Sequence, residues 1–86
     1  MSLREQIVDI FVDVISAILD TPKEEILSNL NAKFNDDFNM TSLEYFPLIG
    51  KLEEEFDIDI DYHDFLTNAQ TANDGIDLVL EIVNRK

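Results

Sequence analysis

The sequence predicts an all-α fold: a small bundle of three main helices plus one short helix, with a long loop between helices one and two. Three separate segments repeat apolar residues at the three- and four-residue spacing of amphipathic helices. The clearest alternating run, residues 57–61, is too short to pair without a partner strand. The 86 residues make one domain at most, because domains usually run to ~100–150 residues. We therefore assign residues 1–86 to a single helical domain.

The first helix is predicted over residues 3–19, where apolar side chains recur at helical spacing and most acidic ones lie off that stripe. The stripe comprises Ile7, Ile10, Phe11, Val14 and Ile18. Asp20 and Pro22 end the helix. Thr21 followed three residues later by Glu24 is typical of a capping box. With Pro22 at the first helical position, this spacing predicts a capped single turn.

A long loop is predicted from Ser28 to Thr41, where the content of Asn, Asp and Lys rises. Four isolated apolar side chains are expected to pin this loop to the core: Leu30, Phe34, Phe38 and Met40. Connections of this length are uncommon in compact domains and tend to be functional. The loop is therefore the first place to look for a site.

The second main helix follows the loop and is predicted to end near Asp57. Its apolar positions are Leu43, Phe46, Ile49, Leu52 and Phe56. A helix that began at Ser42 would place Pro47 one position beyond the turn in which a missing N–H costs nothing. We therefore expect a delayed start, near Leu43 or Glu44. Gly50 lowers the stability of the same helix by about 1 kcal/mol relative to alanine.

The rest of the chain reads as an extended connection at Ile58 and Ile60, a short helix over residues 62–66, and a last main helix. Thr71 and Asp74 resemble a capping box that opens this last helix. Its predicted apolar face comprises Ile76, Val79, Leu80 and Val83. Basic side chains at its end, Arg85 and Lys86, suit the negative end of the helix dipole.

The composition excludes several classes of function. With 19 acidic and 6 basic side chains the net charge is −13, which opposes binding to nucleic acid and favours basic protein partners. The absence of cysteine and the single histidine exclude disulfides, thiolate zinc sites and cysteine nucleophiles. The longest apolar stretch is interrupted by Asp9 and Asp13, so no membrane span is expected. We expect a cytoplasmic monomer.

Two motifs in the middle of the chain carry a family resemblance. Ser42-Leu43 follows the long loop, and the run Leu52-Glu-Glu-Glu-Phe-Asp57 closes the helix that Ser42 opens. Together with looser similarity in the first helix, the turn at residues 24–26 and the last helix, they resemble the acyl carrier protein family. The chain departs from the family at Thr41, where Asp is usual, and at Pro47, where an acidic residue is common. These departures indicate a dedicated carrier with specialised partners.

By this resemblance Ser42 would carry 4′-phosphopantetheine, transferred from coenzyme A by a separate phosphopantetheinyl transferase. The resemblance also implies that an acyl or aminoacyl group travels as a thioester between loading and biosynthetic enzymes with basic docking patches. Partner docking would involve Leu43, Glu44, Phe46, Glu53 and Glu54. Neither a catalytic residue nor a metal ligand of the chain's own is expected.

Acidic side chains are concentrated around Ser42. Residues 34–66 contain ten acids and one lysine, a net charge of −9 of the chain's −13. Such a cluster steers basic partners and raises encounter rates more than affinity. It is equally consistent with a solvated face that keeps a small domain soluble.

Other interpretations remain beside the carrier. Ser42 alone could be an ordinary N-cap, and Leu43 and Phe46 could be either a contact surface or core. An unmodified carrier-like domain that docks basic partners through its acidic face would have the same fold. Two further readings fail. The calcium-loop pattern at residues 57–61 lacks its Gly and Glu, and a triad of Ser42 with His63 lacks an oxyanion hole.

Overall fold

The computed structural model describes residues 2–33, 38 and 40–85, with Ser42 described by its backbone alone. The helices are α1 (Leu3–Leu19), α2 (Lys23–Leu27), α3 (Tyr45–Phe56), α4 (Tyr62–Asn68) and α5 (Ala72–Arg85), and a 3₁₀ turn (Ser42–Glu44) precedes α3. Within these residues the only β pairing is one isolated antiparallel bridge between Lys33 and Thr71. The predicted all-α fold is confirmed, with α2 as a second short helix where a single turn was predicted.

Helix α1 has the bounds that the sequence predicts. A complete capping box starts it: Ser2 Oγ accepts a hydrogen bond from the Glu5 N–H (3.2 Å), and Glu5 Oε1 accepts one from the Ser2 N–H (3.4 Å). It ends at Asp20, which adopts the left-handed conformation at φ 52°. The buried face comprises Ile7, Phe11, Val12 and Ile15, so the predicted Ile10, Val14 and Ile18 lie half-buried at its border.

The capping box predicted at Thr21 and Glu24 is wrong. Helix α2 starts at Lys23 with Pro22 as its N-cap, and no side chain caps it. The Thr21 hydroxyl instead donates to the Leu19 carbonyl (3.2 Å) and so belongs to the end of α1. A threonine that follows a helix end has a free carbonyl within reach, and here that local bond replaces the cap.

Helix α3 starts later than a continuous helix from Ser42 would, as Pro47 predicts. Its first residue is Tyr45, so Pro47 is its third residue and lies in the turn whose N–H groups have no intrahelical partner. The buried residues of α3 are Tyr45, Leu48, Ile49 and Leu52. Tyr45 and Leu48 are core positions that the sequence reading missed.

The core centres on two rings from α1 and α4. Phe65 is fully buried, 6.4 Å from Phe11 and 6.0 Å from Tyr45 between ring centroids, the latter edge to face. The connection between α3 and α4 also faces the core, since Ile58 and Ile60 are each 8% exposed. Residues 58–61 belong to no helix or strand, so a connection lies here as predicted.

Helix α5 closes the bundle and starts as the sequence predicts, with Thr71 Oγ1 accepting a hydrogen bond from the Asp74 N–H (3.1 Å). Ile76 and Val79 of the predicted face are buried, and the other two predicted residues are half-buried. Near its end Arg85 pairs with Glu81 at 3.3 Å. None of the described helices is long and apolar enough to cross a membrane.

The long loop is held at several points. Met40 is 2% exposed, and Leu30 and Phe38 are half-buried against the core, whereas the predicted anchor Phe34 lies outside the described residues. The Asn73 N–H donates to the Leu30 carbonyl (3.0 Å), which ties the start of the loop to the first turn of α5.

Replacing the two glycines of the chain by alanine is expected to change stability in opposite directions. A Cβ on Gly75 would lie 2.8 Å from Cε1 of Phe11, closer than real side chains approach, whereas a Cβ on Gly50 would meet nothing within 4 Å. We expect Gly75→Ala to lower the free energy of unfolding by about 1–3 kcal/mol. Gly50→Ala, the matched control, should raise it by up to about 1 kcal/mol through helix propensity. Urea denaturation followed by circular dichroism measures both, and equal stability of the two variants would contradict the close approach.

Candidate functional site

Residues 41–44 form the turn that carries the candidate serine. Two hydrogen bonds close it in opposite directions: the Glu44 N–H donates to the Thr41 carbonyl (3.1 Å), and the Thr41 N–H donates to Glu44 Oε1 (2.8 Å). The backbone of Ser42 lies inside this closed turn, and its side chain is outside the described part of the chain. The turn leads directly into α3.

The role of Glu44 in this turn was missed in the sequence. Thr41-x-x-Glu44 has the same spacing as Ser2-x-x-Glu5 at the start of α1, where the capping box is complete. In both places the glutamate side chain reaches back to the N–H three residues earlier. That spacing is the signal that would have identified Glu44 as part of the turn.

Buried residues flank the turn on both sides. Met40, immediately before it, is 2% exposed, and Tyr45, immediately after it, is 3% exposed, and both belong to the same core cluster. Counted from Thr41 as the cap, these are the two positions of a hydrophobic staple, which fixes the angle at which a chain enters a helix. The turn is thus anchored at each end.

The two apolar residues predicted near the serine are exposed. Leu43 is 75% exposed and Phe46 is 53% exposed, so the core alternative for them is wrong and both present apolar surface. The Phe46 ring stacks flat on Tyr62 of α4, with centroids 4.1 Å apart and an interplanar angle of 3°. One face of Phe46 is covered by this stack.

The predicted docking carboxylates differ in their surroundings. Glu53 is half-buried, and its Oε2 accepts a hydrogen bond from the Ile60 N–H (2.9 Å), which fastens the connection between α3 and α4. Glu54 is exposed on the outer side of α3. Glu55 pairs with Lys51 at 3.1 Å, and this hydrogen bond raises the pKa of Lys51. Asp36 and Asp37, which the sequence reading places in the acidic cluster, lie outside the described residues.

Ionisation of Tyr45 is expected to lower the stability of the fold at high pH. Burial raises the pKa of Tyr45 to about 12, and the nearby Tyr62 and Glu44 contribute to the rise. Because the folded pKa lies above the unfolded value of about 10, the stabilisation is complete below pH 10 and is lost as the pH rises toward 12. We expect the free energy of unfolding to fall by on the order of 2 kcal/mol across this range.

Tyrosine variants test this pH dependence. Denaturant titrations at pH 9 to 12 should show a smaller decline in Tyr45→Phe than in the wild type. Tyr62→Phe is the control, since it retains Tyr45 and should keep most of the decline. A decline in Tyr45→Phe as large as in the wild type would assign the alkaline effect to other groups.

The backbone at this point suits a phosphate ester. α3 is 12 residues long, and no side chain caps its N-terminus. The first N–H groups of a helix lack intrahelical partners and form the positive end of the helix dipole. This end favours a phosphate on the 3₁₀ turn that precedes α3. The exposure of Leu43 places the turn at the surface, where another protein can reach it. The described residues contain no group of three or more His, Asp or Glu side chains arranged to hold a metal ion.

Two comparisons with known proteins show the family to which the chain is similar. The family described as phosphopantetheine attachment site matches residues 9–79. The chain is 41% identical over 66 residues to an acyl carrier protein of Buchnera aphidicola subsp. Schizaphis graminum, a match that covers 77% of this chain and 80% of that protein. No solved structure matched the chain.

Proposed function

This chain belongs to the acyl carrier protein family, whose cofactor is covalently bound 4′-phosphopantetheine, and we propose that Ser42 is its attachment site. The observation that carries the proposal is the surface turn at residues 41–44, which leads into the N-terminus of α3 inside the matched region. The cofactor supplies a terminal thiol, on which an acyl or aminoacyl group is held as a thioester. The chain then shuttles that group between biosynthetic enzymes.

Loading is a phosphoryl-type transfer performed by a separate transferase. The Ser42 hydroxyl oxygen bonds to the phosphorus nearest the pantetheine of coenzyme A, and the bond from that phosphorus to the bridging pyrophosphate oxygen breaks. Adenosine 3′,5′-bisphosphate leaves, and the hydroxyl proton passes to a base on the transferase. The part of this chain is to present the hydroxyl, with the end of α3 favouring the negative charge of the product.

Partner enzymes would dock beside Ser42 on an apolar surface with an acidic surround. Leu43 and Phe46 offer exposed apolar area, and Glu54 offers an exposed negative charge on α3. Glu44 and Glu53, also predicted as docking residues, use their carboxylates in hydrogen bonds to the backbone. The high negative charge favours encounter with basic surfaces.

We expect this steering to depend on salt. Glu54→Gln should reduce the rate constant of association with a basic transferase modestly, by a factor of about 2–3 at low ionic strength, and the difference should shrink as salt screens it. Stopped-flow kinetics at several salt concentrations measures the effect. Glu81→Gln on α5 is the matched control, since it removes one charge that is also exposed, together with a weak surface pair with Arg85. Equal effects of the two variants would argue against a docking role for Glu54.

Intact mass spectrometry tests the proposed function directly. The purified chain is incubated with coenzyme A, Mg²⁺ and several broad-specificity phosphopantetheinyl transferases, and the expected product carries one phosphopantetheinyl group. A chain that stays bare with every transferase would instead favour an unmodified interaction module that docks basic partners. The monomeric state and the cytoplasmic location stay predictions from the sequence.

A further inference from the structure

We propose that Glu44 is a positioning residue for the loading of Ser42: its carboxylate holds the Thr41 N–H and so fixes the turn that presents the serine. This inference rests on the proposed attachment at Ser42. It assigns to Glu44 a task within the chain, as distinct from a charged contact with partner enzymes.

The geometry shows why the turn depends on this side chain. Ser42 and Leu43 lie between the two residues whose hydrogen bonds close the turn, Thr41 N–H to Glu44 Oε1 at 2.8 Å and Glu44 N–H to the Thr41 carbonyl at 3.1 Å. The first of these has an ionised acceptor, and hydrogen bonds to charged groups are the strong kind. Without the carboxylate, the bond from the Glu44 N–H to the Thr41 carbonyl has to close the turn without this side chain.

The regular helix does not take over this task. α3 starts only at Tyr45, so Ser42 lies in a 3₁₀ turn and outside the α-helical hydrogen-bond ladder. Short 3₁₀ turns have poorer hydrogen-bond geometry than α-helices. The delayed start follows from Pro47, which is tolerated as the third residue of α3 but not deeper inside a helix. The serine is therefore held by local contacts, which include the hydrogen bond between the Glu44 carboxylate and the Thr41 N–H.

The start of α1 provides an internal comparison. There the Ser2 hydroxyl and the Glu5 carboxylate each bond to the other residue's N–H, so two side chains share the closure. At residues 41–44 the bond from the Glu44 N–H goes to the Thr41 backbone carbonyl and not to the Thr41 hydroxyl, and the Glu44 carboxylate accepts from the Thr41 N–H. Removing Glu44 should therefore disturb the turn at residues 41–44 more than removing Glu5 disturbs the start of α1.

Two substitutions at one position separate the positioning role from docking by charge. Glu44→Gln keeps an oxygen that accepts from the Thr41 N–H but removes the charge, whereas Glu44→Ala removes both. With a transferase that loads the wild type, we expect Glu44→Gln to stay within about threefold of wild-type kcat/KM and Glu44→Ala to fall by roughly tenfold, mainly in kcat, because misplacing a reacting group slows the chemical step. The proposal would be overturned if both variants lost activity equally and the loss were mainly a KM higher than that of the wild type, with the difference in KM disappearing at high salt.

A matched pair at Glu54 controls for loss of charge. Glu54 is exposed on α3, so Glu54→Gln and Glu54→Ala, which both remove its charge, should load at rates similar to each other. Circular dichroism confirms that each variant is folded before its kinetics are compared.

Hydrogen exchange gives a readout that does not need loading. The Thr41 amide should exchange faster in Glu44→Ala than in the wild type and should remain protected in Glu44→Gln. Unchanged protection in Glu44→Ala would also overturn the proposal. If even the wild-type chain resisted loading, the attachment site would be wrong, while the exchange data would still decide whether Glu44 holds the turn.

Discussion

Ser42→Ala abolishes attachment of phosphopantetheine and leaves the fold intact: this is the largest functional effect that we expect. The substitution removes the only atom that can form the phosphodiester at this position. We expect the structural cost to stay within about 1–2 kcal/mol, the range for losing a cap, because the N-cap residue of α3 is Glu44 and not Ser42. Intact mass after incubation with coenzyme A and a competent transferase measures the first effect, and urea denaturation measures the second.

The chain offers a matched control for this variant. Ser28 is exposed at the end of α2, where its hydroxyl donates to the Glu24 carbonyl (2.8 Å). Ser28→Ala should therefore be loaded like the wild type. A phosphopantetheinyl group on Ser42→Ala, or its absence from Ser28→Ala alone, would place the attachment elsewhere.

The largest effect on stability is expected for Phe65→Ala. Phe65 is fully buried, at 0% solvent exposure, and its ring packs against the rings of Phe11 and Tyr45. Replacing a buried phenylalanine by alanine costs about 3–5 kcal/mol through lost burial and the cavity that remains. A domain of 86 residues has a total stability of roughly 4–13 kcal/mol, so this variant should lose a large part of it.

Phe46→Ala is the surface counterpart of this substitution. Phe46 is 53% exposed and contacts Tyr62 on one face, so its loss should cost roughly 1 kcal/mol. Thermal or urea denaturation of both variants gives the comparison. A loss in Phe65→Ala no larger than in Phe46→Ala would show that the ring cluster is not the centre of the core.

Local signals in the sequence predicted the helices well. The bounds of α1, the Thr71 cap of α5 and the delay of α3 all follow from short-range chemistry, namely periodicity, capping and the missing N–H of Pro47. The Thr21 cap failed because the same hydroxyl had a second local acceptor, the Leu19 carbonyl. Sequence spacing alone does not decide between two such partners.

The buried face of α3 was harder to predict for a geometric reason. Positions 43, 46, 49 and 52 recur every three residues, and such a series drifts around a helix that has 3.6 residues per turn. The buried set at positions 45, 48, 49 and 52 follows the helical period more closely. The serine turn was located by resemblance. The Thr41-x-x-Glu44 spacing signals its closure by Glu44, but a glutamate near a predicted docking surface has two uses, and the spacing alone does not decide between them.

The two tyrosines lie in contrasting places, and the chain has no tryptophan. Tyr45 is buried and packs edge to face on Phe65 in the core, while Tyr62 stacks on the exposed Phe46 beside the serine turn. Near-ultraviolet spectra of single Tyr→Phe variants therefore separate two processes without any attached dye. Signal from Tyr45 follows folding, and signal from Tyr62 follows the approach of a binding protein.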